Sequence, residues 1–137
     1  MLRLLVLLPT YNEAANLEAI VEAILRESAG ASDTEVLVID DNSPDGTGQL
    51  ADMLHMRHPM RVHVLHRAAK EGLGRAYAAG YAWAQASDYD VVAQMDADFS
   101  HDPADLPRLV AAVMEGADVA IGSRYVPGGQ TPGWAWR

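Results

Sequence analysis

The chain alternates short apolar runs with amphipathic stretches, and that rhythm restricts it to very few architectures. Residues 3–9, "RLLVLLP", form a continuous apolar run of the kind that strands buried on both faces show. Residues 12–28 follow, and there Leu17, Ile20, Val21, Ile24 and Leu25 recur at the spacing of one helical stripe. Residues 35–40, "EVLVID", read as a second strand, and the turn "DNSPDGTG" hands over to a helix carrying Leu50, Met53 and Leu54. "RVHVLH" (61–66) alternates like a strand with one wetter face, which suits a position near the sheet edge. The Ala-rich "AYAAGYAWAQA" (76–86) predicts a third helix, in which Gly80 fits a close helix–sheet contact. "DVVAQM" (90–95) supplies a fourth strand. Asp102 and Pro103 suit the N-cap and first position of a fourth helix over 103–116, and "DVAIGS" (118–123) reads as a fifth strand. Strict alternation implies right-handed crossovers and an open, mainly parallel sheet with helices on both faces, an α/β fold.

Composition excludes several functions. With 137 residues, half of them hydrophobic, the chain can bury one real core. Nineteen acidic against ten basic residues leave a formal charge of −9, so nothing offsets repulsion from a polyanion and no nucleic acid is expected as a partner. The lack of cysteine excludes a disulfide scaffold or thiolate metal site. The first apolar run is short and ends in Pro-Thr-Tyr-Asn without a small-residue cleavage pattern, so it is expected to be a strand, not a leader. No run approaches the ~20 apolar residues that cross a bilayer. The Gly/Pro-rich end, "PGGQTPGWAWR", breaks the order and reads as the start of a further region.

The polar motifs gather where strands end: "PTYNE" after the first, "DDNSPDG" after the second, "DADFS" after the fourth and "SRY" after the fifth. Parallel strands put those ends on one rim, where open α/β sheets bind ligands. Each motif also has a plainer explanation. Thr10 to Glu13 spells T-x-x-E, which fits a capping box as well as a site with Tyr11 over a flat ring and Glu13 at its polar edge. Pro44, Asp45 and Gly46 are turn chemistry. Asp41 can accept hydrogen bonds from the N–H edge of a nucleobase. Lys70, Gly72 and Gly74 resemble a phosphate loop only weakly and are taken as loop and helix start. His55, His58, His63 and His66 lack metal spacing and are assigned to surface or packing, while His101 carries no assignment. Asp96 and Asp98 repel each other unless a cation neutralises them, and hard oxygen ligands suit Mg2+ or Mn2+ with room left for diphosphate oxygens. An isolated D-x-D could equally be one cap and one solvated acid.

Together, "LLPTYNEAANL", "VIDDNSPDGTG", "EGLGRAYAAGYAWA", "MDADFSHDP" and "IGSRYVPGG" resemble the dolichol-phosphate and polyprenol-phosphate mannose synthases, most closely the actinobacterial type. These are family 2 glycosyltransferases with the Rossmann-like GT-A fold. The resemblance implies inverting, metal-dependent transfer of mannose from GDP-mannose to a polyprenyl or dolichyl phosphate, at the cytoplasmic face of a membrane by a peripheral protein. It places Pro9, Tyr11, Glu13, Ile39 and Asp41 at the guanosine. Asp96, Ala97 and Asp98 fall at ribose, metal and diphosphate, with Mg2+ or Mn2+ on Asp96 and Asp98. Asp98 and Arg124 are the implied catalytic pair, Arg124 and Arg137 the implied ligands of the acceptor phosphate. Some relatives have Gln where Ser100 stands, so a third side-chain metal ligand is not expected. Residues 1–126 correspond to the nucleotide-sugar-binding part and 127–137 to the start of an acceptor-side region. The family continues further, so the chain reads as an N-terminal fragment lacking acceptor-facing helices and basic ligands, completed by a missing C-terminal portion or a membrane-anchoring partner. Two alternatives stay open: a nucleotide-sugar-binding module without turnover, and a lipid-phosphate transferase with another donor such as UDP-glucose.

Overall fold

The computed structural model describes residues 1–130 of the chain. Four strands, β1 (Arg3–Thr10), β2 (Asp33–Asp40), β3 (Val62–His66) and β4 (Val91–Gln94), form one sheet in the order β3-β2-β1-β4. Every neighbouring pair is parallel. The helices are α1 (Leu17–Glu27), α2 (Thr47–Arg57), α3 (Leu73–Ala84) and α4 (Leu106–Met114), the last preceded by a 3-10 turn at Pro103–Asp105.

Handedness explains the layering. The chain steps outward from β1 to β2 to β3, and right-handed crossovers then put α1 and α2 on one face. From β3 it returns past β1 to β4, so its crossover helix, α3, must cover the opposite face. Strand parity matches. Leu4, Val6, Leu8, Val36 and Val38 pack with α1, α2 and α4, whereas Leu5, Leu7, Leu37 and Ile39 pack under Ala76 and Ala84 of α3. All five stripe residues of α1 are buried, as their spacing predicts. β3 lies at the edge, as its wetter pattern suggests.

Three expectations need correction. The first helix starts at Leu17 and not at residue 12, and Thr10 lies inside β1, so T-x-x-E is no capping box. Met53 is 60% exposed; the buried stripe of α2 runs through Thr47, Ala51 and Leu54 instead. No fifth strand forms over 118–123, and Val119 and Ile121 stand 75% and 81% exposed. A strand exists only against a partner. Among the described residues no strand lies beyond β4 to receive it.

Gly80 explains how closely α3 approaches. A Cβ there would meet Ile39 Cδ1 at 2.7 Å and Leu7 Cδ1 at 3.0 Å. Those atoms are side-chain tips that can shift, and Ala gains roughly 1 kcal/mol of helix propensity over Gly. Gly80→Ala is therefore expected within about 1 kcal/mol of the parent. Gly80→Val overpacks the contact and should cost about 1–3 kcal/mol, read as a lower urea midpoint at unchanged slope.

Candidate active site

The loops that follow β1, β2 and β4 meet at the carboxyl edge of the sheet, and the start of α3, on the face opposite α1 and α4, closes the other side of a crevice there. A cleft of about 200 Å³ lies there. Of the residues expected at a site, Pro9, Tyr11 and Glu13 enter it from the β1 loop, Asp41 from β2, and Asp96, Ala97 and Asp98 from the β4 loop.

Hydrogen bonds to the neighbouring turn hold the β1 loop. Asn12, left-handed at φ 57°, donates its N–H to Ser43 Oγ at 3.0 Å. The next two N–H groups, of Glu13 and Ala14, are donated to Thr47 Oγ1 at 3.0 Å and Asp45 Oδ2 at 3.1 Å. The "NSPDG" turn is thus structural, as its composition suggests. Asp40 organises it, accepting from the Thr10 hydroxyl at 2.9 Å and from the Ser43 hydroxyl and N–H at 2.7 and 3.1 Å.

Asp41 differs from its neighbour. It is only 6% exposed, and its Oδ1 has no hydrogen-bond partner among the described residues. Burial pushes its carboxyl above the usual range, opposed by Arg67, whose Nε stands 3.6 Å away. Arg67 Nη1 is likewise buried without a partner among those residues. Asp41 Oδ1 faces Arg67 Nε across that ion pair, so a largely buried guanidinium, and not a hydrogen bond, supports the carboxylate from behind the cleft.

At the other end, the Ser100 hydroxyl and then its N–H hold Asp98 below the ordinary carboxylate range, the N–H donated at 3.0 Å. Asp96 is 40% exposed at its side chain. The Tyr77 hydroxyl, pushed up by burial and then by Asp96 beside it, stays protonated. No group of three acids or histidines gathers among the described residues. Two ionised oxygen ligands over an open cleft fit Mg2+ or Mn2+, ions that keep most positions for water and phosphate.

Other placements were not foreseen. Ile39, expected at the guanosine, is fully buried between the sheet and α3 and does not line the cleft. Its parity with Leu37 gave that signal. Lys70 does line it, with Nζ 4.4 Å from the Tyr11 ring centroid, close enough for cation–π attraction. Gly72, at φ 97°, starts α3 at the cleft wall, so the helix N-terminus adds positive potential. Arg124 lies outside the cleft, but its guanidinium donates to the Ser100 carbonyl and so touches the loop carrying Asp98. Arg137 lies outside the described residues.

Residues 5–137 match the family described as glycosyl transferase family 2. The chain belongs to that family. It is 54% identical over 135 residues to a polyprenol monophosphomannose synthase of Mycolicibacterium smegmatis, covering 98% of this chain and 50% of that one. An undecaprenyl-phosphate mannosyltransferase of Micrococcus luteus is 51% identical, with 97% and 53% covered. The chain therefore spans about half the length of these relatives. A solved mannosyltransferase of Pyrobaculum calidifontis, in complex with GDP-Man and Mn2+, superposes with a TM-score of 0.61 at 27% identity, over 70% of this chain and 27% of that one. The fold of this family 2 chain is of the GT-A type.

A depressed carboxyl pKa supports the fold above its unfolded value and loses that support as pH falls through the folded value. Ser100→Ala removes the larger cause of the Asp98 depression. The titration of Asp98, followed by carboxyl-carbon NMR, should move up toward the ordinary carboxylate range, so the support it gives the fold is smaller and disappears at higher pH than in the parent.

Proposed function

We propose that this chain is the donor-binding half of an inverting transferase that moves mannose from GDP-mannose to a polyprenyl or dolichyl phosphate. The observation that carries the proposal is one cleft lined by the buried Asp41 carboxylate, which Arg67 backs, and by the Asp96–Asp98 pair. Its setting, a chain 54% identical to a polyprenol monophosphomannose synthase, supports the substrate class. On this reading the chain acts peripherally at the cytoplasmic face of the bilayer that carries the acceptor; no helix among the described residues is long and apolar enough to cross a membrane.

Each group has a task. Asp41 accepts the base N–H groups, Arg67 supports that carboxylate from behind the cleft, and Tyr11 offers its ring face. Guanine presents two N–H donors on one edge, which suits a carboxylate acceptor. Lys70 and the α3 N-terminus draw the diphosphate inward. Asp96 and Asp98 hold Mg2+ or Mn2+, which when bound offsets charge on the departing GDP. Arg124, tied to the Ser100 carbonyl, stands at the same loop to meet phosphates of donor and acceptor. A lipid phosphate is ionised near neutral pH, its second pKa being about 6, so it attacks without a strong base. One displacement inverts the anomeric carbon. Residues 127–137, with Arg137, begin the acceptor side.

Because the chain spans half its relatives, donor binding is the decisive measurement. Calorimetric titration with Mn2+ should show GDP-mannose binding at least about tenfold tighter than UDP-glucose, and chelator should remove it. Equal affinity without metal, or preference for the uridine donor, would overturn the proposal. Asp98→Asn should weaken metal-dependent binding at least about tenfold, the scale of losing one ion ligand contact, while the melting temperature holds. Asp41→Ala removes a hydrogen bond to a charged group, worth about 1.5–3 kcal/mol. Its GDP-mannose affinity should fall by roughly ten- to a hundredfold with metal affinity unchanged.

A further inference from the structure

The last sheet-type bond at the end of β4 runs from the Met95 N–H to the Leu7 carbonyl at 3.1 Å. The next N–H, of Asp96, is donated instead to a side chain, His101 Nδ1, at 3.0 Å. Only a bare ring nitrogen can accept, so the neutral ring carries its proton on Nε2. That nitrogen stands 3.9 Å from Asp96 Oδ2, the oxygen that the Ser100 hydroxyl approaches at 3.4 Å. One edge of the ring therefore runs along Asp96 from amide to carboxylate.

His101 is itself anchored. Asp102 Oδ1 accepts the Ala104 N–H at 3.0 Å and opens the 3-10 turn leading into α4, whose Leu106 and Val110 are in the core. The loop from Asp96 to His101 is thus closed at its base by a side chain tied to a packed helix. Inside it Phe99 is left-handed at φ 63°, a conformation unfavourable for an aromatic residue unless the surroundings impose it.

We propose that His101, as the Nε2–H tautomer, is a positioning residue: by accepting the Asp96 N–H it closes the loop and fixes the Asp96 and Asp98 carboxylates for a divalent ion. This rests on the metal-binding role proposed above for the pair. Groups that orient metal ligands typically control affinity by 10- to 100-fold.

Side-chain length separates positioning from mere packing. Asn puts its amide oxygen near the place of Nδ1, whereas Gln reaches the place of Nε2. In the metal-free chain, long-range proton–nitrogen NMR should show a protonated Nε2 and bare Nδ1 on His101. Hydrogen exchange at the Asp96 amide should stay slow in His101→Asn and speed up in His101→Gln. Mn2+ titrated alone, followed by its electron paramagnetic resonance, should bind His101→Asn within about twofold of the parent and His101→Gln about tenfold or more weaker. An Nδ1–H tautomer, or an Asp96 amide and Mn2+ affinity that do not distinguish Asn from Gln, would overturn the role of His101. A parent chain that fails to bind Mn2+ while the amide follows the substitutions would overturn the metal role of the pair instead.

Discussion

Everything at the site depends on β1 being buried on all sides. Leu4 to Leu8 are fully buried, with apolar contacts on both faces and ladder bonds to β2 and β4 on both edges. A strand so placed can present function only at its end. That end is also where the loops after β1, β2 and β4 meet the start of α3. The cleft is a consequence of strand order, and the residues at its rim are those that follow the last buried position of each strand.

Two adjacent aspartates show how rigidity and reactivity are divided. Asp40 ends β2 and spends its oxygens on Thr10 and Ser43, which ties together the turns after β1 and β2. Asp41, one residue on, is nearly as buried but keeps an oxygen unmet. The first makes the wall stiff enough for the second to stay unsatisfied. Three consecutive N–H groups of the β1 loop, each bonded to a side chain of the neighbouring turn, serve the same purpose. A donor entering such a cleft has little backbone left to order, which keeps the entropic cost of binding low.

Much of this was readable in the sequence because it is local or periodic. The α1 stripe, the two-faced burial of β1 and β2, the edge position of β3 and the Asp102–Pro103 helix start follow from spacing alone. The convergence of the β1, β2 and β4 loops follows from parallel topology. Lys70, weighed only as part of a weak phosphate-like loop, gains its place at the cleft because the loop after an edge strand is carried there by the start of α3. Ile39, expected at the guanosine, turns its side chain into the core under α3, as its parity with Leu37 dictates. The stretch 118–123 has the composition of a strand but no neighbour among the described residues, and composition cannot supply one. In α2, Ala51 carries the stripe that Met53 seemed to offer, because small residues pack without announcing themselves in a hydrophobic pattern.

The charge of the cleft gives an independent reason to expect a cation there. Glu13, Asp41, Asp96 and Asp98 line it against a single ammonium, Lys70, in a chain already at −9. Arg67 offsets Asp41 from behind, and the α3 N-terminus contributes only about half a positive charge. Within so small a volume these charges lie inside the roughly 8 Å over which salt screens at physiological strength, so a diphosphate entering alone meets net repulsion. Protonation does not relieve it at the β4 loop, where Ser100 favours the ionised form of Asp98. A divalent ion does, and it does so selectively: it raises affinity for a ligand that brings its own oxygens and leaves a neutral sugar unaffected. On the function proposed above, the acidity of the cleft therefore makes metal and nucleoside diphosphate depend on each other there.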